Sequence, residues 1–375
     1  MHPILLNDFK RQWAEIGSDV LRAVERVGAS GWYVLGQEVR RFETDLARYW
    51  GVREAIGVAS GLDALEIALR AGGLRPGDAV LTTPLSAFAT TLAVLRVGGT
   101  PIFCDTDENG LLNLDLAEEV LRADAKVRFL LPVHLFGQCL DLHRLAALQN
   151  QYGTTIIEDC AQSVGASWRG TANGTVGRLA ATSFYPTKNL GAMGDGGAVL
   201  TNEANLAEKV RQLRDYGQSA KYLHDEIGWN SRLDEVHAAI LSEAVLPRLS
   251  AWTSRRQQVA AAYICGINHP AVRLIRPNPA STSCEHLFPV EVSSELRPGF
   301  EGWLKTHSIG SGRHYPILIP DQKAMATANH EVRGALPLAR RLAEGEVSLP
   351  IHPQLSTDEV ERVIAAVNDW KPTPS

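Results

Sequence analysis

Lys188 stands in the run Ser183-Phe-Tyr-Pro-Thr-Lys-Asn-Leu-Gly191, with further glycines at 194, 196 and 197. An amine held in such a loop between two strands, partly out of water, loses affinity for its proton and becomes nucleophilic. The glycines allow backbone geometries that other residues resist. A loop lysine taken alone is more often a plain solvated charge. Asp159 ends the apolar run Thr155-Ile-Ile-Glu-Asp, and open α/β sheets bind ligands at the C-terminal ends of their strands. A carboxylate there can hold a protonated ring nitrogen, or it can cap the helix that follows. The third piece is Val58-Ala-Ser-Gly-Leu-Asp-Ala-Leu65, which reads as a strand, a glycine and a helix. Backbone N–H groups at such a helix start take a phosphate, and Gly61 lets the chain come close to it. Many strand-to-helix turns contain glycine, however, and Asp63 is accounted for by the helix dipole. Ser183 can donate to a phosphate from its strand end or satisfy local backbone.

The elements that would position these groups alternate along the chain. Ala55–Ala59, Ala79–Thr82, Thr100–Cys104, Phe129–Val133, Thr155–Ile157, Ala180–Phe184 and Ala198–Thr201 read as strands. Helical stretches such as Leu62–Leu69 lie between them, an order that predicts an α/β domain with a largely parallel sheet covered by helices. Upstream, Phe9, Trp13, Ile16, Val20 and Val24 recur at helical spacing and predict an amphipathic helix. Leu233–Leu249 reads as a long helix, with Pro247 near its end. A strand at His286–Val292 and helices near Gly302–His307 and Ser356–Val367 suggest a smaller C-terminal α/β domain. The division expected is residues 1–250 and 251–375, and the tail Lys371–Ser375 is expected to fray.

With 37 Lys and Arg against 42 Asp and Glu the net charge is −5, and the basic residues are dispersed. No basic field speaks for nucleic acid or an anionic membrane. The five cysteines form no C-x-x-C pair, so neither a zinc site nor a disulfide framework is indicated, and a reducing compartment fits. No apolar run is long enough to span a bilayer, and no leader pattern opens the chain, which makes the cytoplasm the default.

Together these pieces resemble the DegT/DnrJ/EryC1/StrS family of sugar aminotransferases. The resemblance runs through Gly31-Trp-Tyr-Val-Leu-Gly36, Phe42-Glu43, Ser60-Gly-Leu-Asp-Ala-Leu65 and Pro132-Val-His-Leu-Phe-Gly-Gln138. It continues through Glu158-Asp-Cys-Ala-Gln162, the Lys188 loop, Gly194-Asp-Gly-Gly197, Asn230-Ser-Arg-Leu-Asp-Glu235, His314-Tyr-Pro316 and Ser348-Leu-Pro350. It implies a pyridoxal 5'-phosphate (PLP)-dependent transferase of fold type I. Lys188 would carry PLP covalently and later move protons, Asp159 would pair with the ring nitrogen, and Gln162 would lie near the ring hydroxyl. Phe88 would stack on the ring, the alternative for a phenylalanine being a place in the core. Gly61, Leu62 and Ser183 would bind the phosphate. Asn230 would reach the phosphate of a neighbouring subunit, implying a homodimer with shared sites; periodicity alone makes it a helix N-cap.

Many members have Thr where this chain has Leu62, so only a backbone N–H can serve there. The Gly-Leu-Asp version is similar to members that aminate nucleotide-linked 3-keto-6-deoxyhexoses. His314 and Tyr315 are candidates to contact substrate or to serve structure, His134 reads as positioning a loop, and His237 as a helix-face residue. The implied reaction moves an amino group, from glutamate, to a keto-sugar nucleotide. Relatives that dehydrate sugars carry His at the position of Lys188, which argues against that chemistry. Amination of a keto-cyclitol, or a non-catalytic regulatory protein of the same fold, are the alternatives.

Overall fold

The structure is a computed structural model and describes residues 2–372. Met1 and the last part of the tail expected to fray, residues 373–375, lie outside the described residues. An eight-stranded sheet forms the centre. Its strands are β1 (Glu54–Val58), β2 (Ala79–Thr82), β3 (Thr100–Phe103), β4 (Val127–Leu131), β5 (Thr155–Asp159), β6 (Leu179–Ser183) and β7 (Gly197–Thr201). The spatial order is β1-β7-β6-β5-β4-β2-β3, and the short strand Glu331–Val332 adds to the β3 edge. Pairings from β3 through β6 are parallel, and β7 alone runs antiparallel to both its neighbours. β6 and β7 are buried along their whole length, as strands covered on both faces must be.

Register places the site. Gly197 at the start of β7 pairs with Val58 on one side and Ser183 on the other. The C-terminal ends of β1 and β6 therefore lie side by side, on the edge where β2, β4 and β5 also end. Helix α3 (Gly61–Ala71) leaves β1 at that edge, capped by the Ser60 hydroxyl, which accepts the N–H of Asp63 at 3.1 Å.

Helix α1 (Phe9–Ser30), which α2 (Gln37–Trp50) follows, forms where the periodicity predicts, but its buried face differs. Ile16, Val20, Ala23 and Val27 are buried, whereas Phe9, Trp13 and Val24 are exposed. The helical stretch expected to stop near Pro247 runs from Glu235 to Gly266. A π-helical turn at Leu241–Val245 and a 3₁₀ turn at Leu246–Arg248 absorb the proline, whose missing N–H is harmless at the start of a new turn. Leu249 and Trp252 pack in the core beneath α1, while Val259 and Tyr263 join a separate C-terminal core with Phe288, Val290 and Phe300. That second core covers a three-stranded antiparallel sheet of Arg273–Leu274, Phe288–Glu291 and Glu346–Leu349. No helix among the described residues is long and apolar enough to cross a membrane.

The two ends of the chain are tied by Arg11 and Glu359, a bidentate pair at 2.6 and 2.7 Å. Bonding to Arg11 and to the Ser356 cap holds the Glu359 carboxyl down at about 2, against burial. A carboxyl lowered by folding adds stability above its unfolded pKa near 4.5 and loses it as pH falls toward 2. Glu359→Gln is therefore expected to lower stability by about 1 kcal/mol at pH 7, Arg11 being partly exposed. In urea titrations the gap should close between pH 4.5 and 2.

Candidate active site

Asp159 is buried at the last position of β5. Its Oδ1 accepts the N–H of Ala161 at 3.1 Å, and its Oδ2 accepts the Thr90 hydroxyl at 2.9 Å. The Ala161 bond is the turn-capping contact that the sequence allows, but it occupies one oxygen only. Burial raises the Asp159 carboxyl, while its hydrogen bonds and the charge of Lys188 pull it back. Thr90 was not singled out in the sequence. It sits in the helix Phe88–Arg96 that follows β2, one turn after Ser86, whose hydroxyl lies 2.9 Å away. Since the Thr90 proton goes to Asp159, Ser86 donates to Thr90.

Lys188 lies in the loop between β6 and β7, with its N–H on the carbonyl of Tyr185. Desolvation pushes its ammonium down to about 8, with the charge of Asp159 opposing. Each group thus registers the other's field. Asn189 fastens the loop, donating to the Cys284 carbonyl at 2.9 Å while its Oδ1 lies 3.1 Å from Nδ1 of His286. His286 was not singled out either. Burial and the nearby Lys188 charge hold it well below the ordinary histidine range, so it is neutral.

Gly61 meets Ser183 as the register requires. A Cβ on Gly61 would come within 2.6 Å of the Ser183 Cβ, and one on Gly197 within 2.5 Å of the Ser60 carbonyl oxygen. Only glycine fits at either place. The partly buried Leu62 follows in the first turn of α3 and packs toward the core. Ser183 accepts the N–H of Tyr185 at 3.2 Å, so the local-backbone role is real, and its proton has no acceptor among the described residues. Phe88, half-buried, begins the helix that carries Thr90 and leans on Phe103, Ile319 and Met325.

Gln162 bridges two strained residues. Its Oε1 accepts the N–H of Phe136 at 2.7 Å, and its Nε2 donates to the Tyr315 hydroxyl at 2.6 Å. Phe136 and Tyr315 both have positive φ, 62° and 64°, backbone states that bulky residues hold only when their surroundings impose them. One Nε2 hydrogen of Gln162 has no partner among the described residues. His314 is partly exposed beside Tyr315, with its Nδ1 2.8 Å from the Ser348 hydroxyl.

Asn230 is exposed and accepts from Arg232. It does not cap the following helix; Asp234 does. His237 bonds that cap residue at 2.6 Å and sits on the helix face. His134, Glu158 and Cys160 bring potential ligand atoms within 4.8 Å of one another. Both nitrogens of His134 are engaged, by Glu158 and Leu140, and Glu158 also accepts from Gly174, Val176 and Gly177. These bonds make the cluster a clamp beneath Asp159, in keeping with a positioning role for His134.

A model of the DegT/DnrJ/EryC1/StrS aminotransferase family matches residues 14–368. The dTDP-3-amino-3,4,6-trideoxy-alpha-D-glucose transaminase of Streptomyces venezuelae is 40% identical over 97% of this chain and 95% of its own length. A pleiotropic regulatory protein of Geobacillus stearothermophilus is 35% identical over 97% of both chains. The crystal structure of S. venezuelae DesV in complex with a ketimine intermediate superposes with a TM-score of 0.94, at 39% identity over 99% of both chains. Fold, strand-end site and a match over almost the entire sequence lead to one conclusion: the chain belongs to the DegT/DnrJ/EryC1/StrS aminotransferase family.

Proposed function

We propose that this protein is a PLP-dependent aminotransferase that moves an amino group, from L-glutamate, to a nucleotide-linked keto sugar of the 3-keto-6-deoxyhexose class. The observation that carries it is the pair Lys188 and Asp159, an amine desolvated in the β6–β7 loop and a carboxylate buried at the end of β5, each within the other's field. The cradle supports the fit of PLP. Gly61 and Gly197 let the strand ends and the start of α3 close on one another where a Cβ would clash, and that helix start offers N–H groups beside Ser183. PLP supplies the aldehyde that takes up the amino group and a ring that withdraws electrons.

The chain does the rest. Lys188 holds the cofactor, and its amine, once released, moves a proton between carbon atoms of the reacting group. Asp159, fixed by Thr90 and Ala161, keeps a proton on the ring nitrogen. Phe88 would pack against the cofactor ring, and the second N–H of Gln162 would serve its hydroxyl. Gly61, Leu62 and Ser183 take the phosphate, and His314 and Tyr315 face the substrate. Asn230, exposed in one chain, is assigned to the phosphate of a second copy. Exposed Trp32, Tyr33, Met193 and Tyr222 support such an assembly, and the cytoplasm is its setting.

The identity to a protein named as a regulator keeps a non-catalytic role as the second reading. Mixing the protein with L-glutamate should bleach the visible band of the lysine-bound cofactor. A 3-keto-6-deoxyhexose nucleotide should then restore it, and a keto-cyclitol should not. Failure to bleach favours the regulator, and restoration by the cyclitol alone redirects the substrate class.

A further inference from the structure

Behind His314 runs a chain of groups that ends in a buried carboxylate. Glu346 and Ser348 lie two residues apart on one face of the strand Glu346–Leu349, and both are buried. A pair of backbone bonds between Gly312 and Ser348 fastens the His314 segment to that strand. Glu346 Oε2 accepts the backbone N–H of His314 at 2.6 Å, and its Oε1 is bonded to the Ser348 hydroxyl. The Ser348 oxygen lies 2.8 Å from Nδ1 of His314.

A carboxylate only accepts, and a hydroxyl has one proton to give. The Ser348 proton therefore goes to Glu346, and Nδ1 must supply the hydrogen of its own bond to Ser348. Neutral His314 carries its proton on Nδ1, and the lone pair is left on Nε2, which has no hydrogen-bond partner among the described residues. The same ring stands edge-on to Tyr315 at 6.1 Å, and the Tyr315 hydroxyl is bonded to Gln162. His286 feels the charge of His314 and is joined through Asn189 to the Lys188 loop.

We propose that Glu346 and Ser348 are positioning residues that lock His314 in its Nδ1–H form, making Nε2 the acceptor of a proton from the ammonium group of the incoming amino donor. The proposal rests on the active-site reading above. An amino acid arrives as an ammonium, which has no lone pair with which to attack. Transfer of one proton to Nε2 turns R–NH3⁺ into R–NH2 and imidazole into imidazolium, with no other bond changed. Glu346 stabilises the new cation through the Ser348 hydroxyl, as a carboxylate does when it orients a catalytic imidazole. The other tautomer would set an N–H against the ammonium, donor against donor.

Glu346→Gln keeps the shape and reverses the logic. The amide oxygen retains the His314 N–H, which leaves the NH2 group against Ser348. The Ser348 proton is then free for Nδ1, and neutral His314 must hold its own on Nε2. Nitrogen-15 spectra of histidine-labelled, cofactor-loaded protein read the tautomer, with His314→Gln identifying the signals. We expect Nδ1–H in the natural chain and Nε2–H in Glu346→Gln. The rate of the donor half-reaction should fall on the order of 10²-fold, with KM for the donor changed by less than about threefold. Ser348→Ala, which cuts the relay without inverting it, should give mixed tautomers and an intermediate rate. An unchanged tautomer in Glu346→Gln overturns the relay, and an inverted tautomer with an unchanged rate overturns the proton-transfer role. The tautomer is read without donor or turnover, so the relay stands or falls separately from the Lys188 assignment.

Discussion

Lys188→Ala is expected to lose the visible band of the lysine-bound cofactor and to cut turnover by on the order of 10⁴-fold or more, since both the covalent anchor and the proton carrier go with one amine. The fold should survive. Among the described residues the side chain holds no hydrogen bond that would be orphaned, and its ammonium is disfavoured by burial. That cost has a sign that can be measured. An amine whose folded pKa lies near 8, below its unfolded value of 10.5, lets the unfolded chain bind more protons in between. The cofactor-free protein should therefore gain stability as pH rises from about 8 to about 10.5, by at most about 3 kcal/mol at 1.36 kcal/mol per unit. Lys188→Ala should lack that slope in denaturant titrations. Lys188→Arg should be as inactive as the alanine variant, because a guanidinium does not give up its proton near neutrality. Full turnover in Lys188→Ala, or borohydride trapping of the cofactor on another lysine, would falsify the assignment.

Much of this could be read from the sequence because the site lies where regular structure stops. Ala79–Thr82 coincides with its strand, and the other six strands predicted for the large domain fall within a few residues of theirs. Strands buried on both faces are continuous apolar runs closed by glycine or by a carboxylate such as Asp159. What escaped were residues whose role depends on a distant partner. Ser86 and Thr90 are ordinary helix-start hydroxyls until β5 brings Asp159 beside them. Ser348 lies in a quoted motif, but its meaning requires Glu346 behind it and His314 across from it. His286 needs the Lys188 loop folded against it.

Pro247 misled for a local reason, since a change of helical pitch can carry a helix past a proline. Phe9, Trp13 and Val24 misled for a tertiary one. Periodicity marks an apolar stripe, but which part of it is covered depends on what packs against it.

Asp159→Asn separates the two ends of the proposed grip. The amide is nearly the same size; its oxygen can accept the Ala161 N–H, and its NH2 then meets the Thr90 hydroxyl, which accepts instead of donating, so the fold and the Lys188 environment should be little disturbed. Burial already works against the charged form of Asp159, which means a neutral replacement removes a desolvation cost rather than adding one. What the amide lacks is the negative charge that keeps a proton on the ring nitrogen, and with it the electron withdrawal that makes a carbon-bound proton removable. The expectation is a kcat lowered on the order of 10³-fold, with borohydride still trapping the cofactor on Lys188 in normal yield. The spectral and kinetic losses thus part company here, whereas in Lys188→Ala they occur together. A kcat within about tenfold of the natural chain would mean that the carboxylate does not act on the ring bound by Lys188. Asp159 would then be a strand-end cap held in place by Thr90.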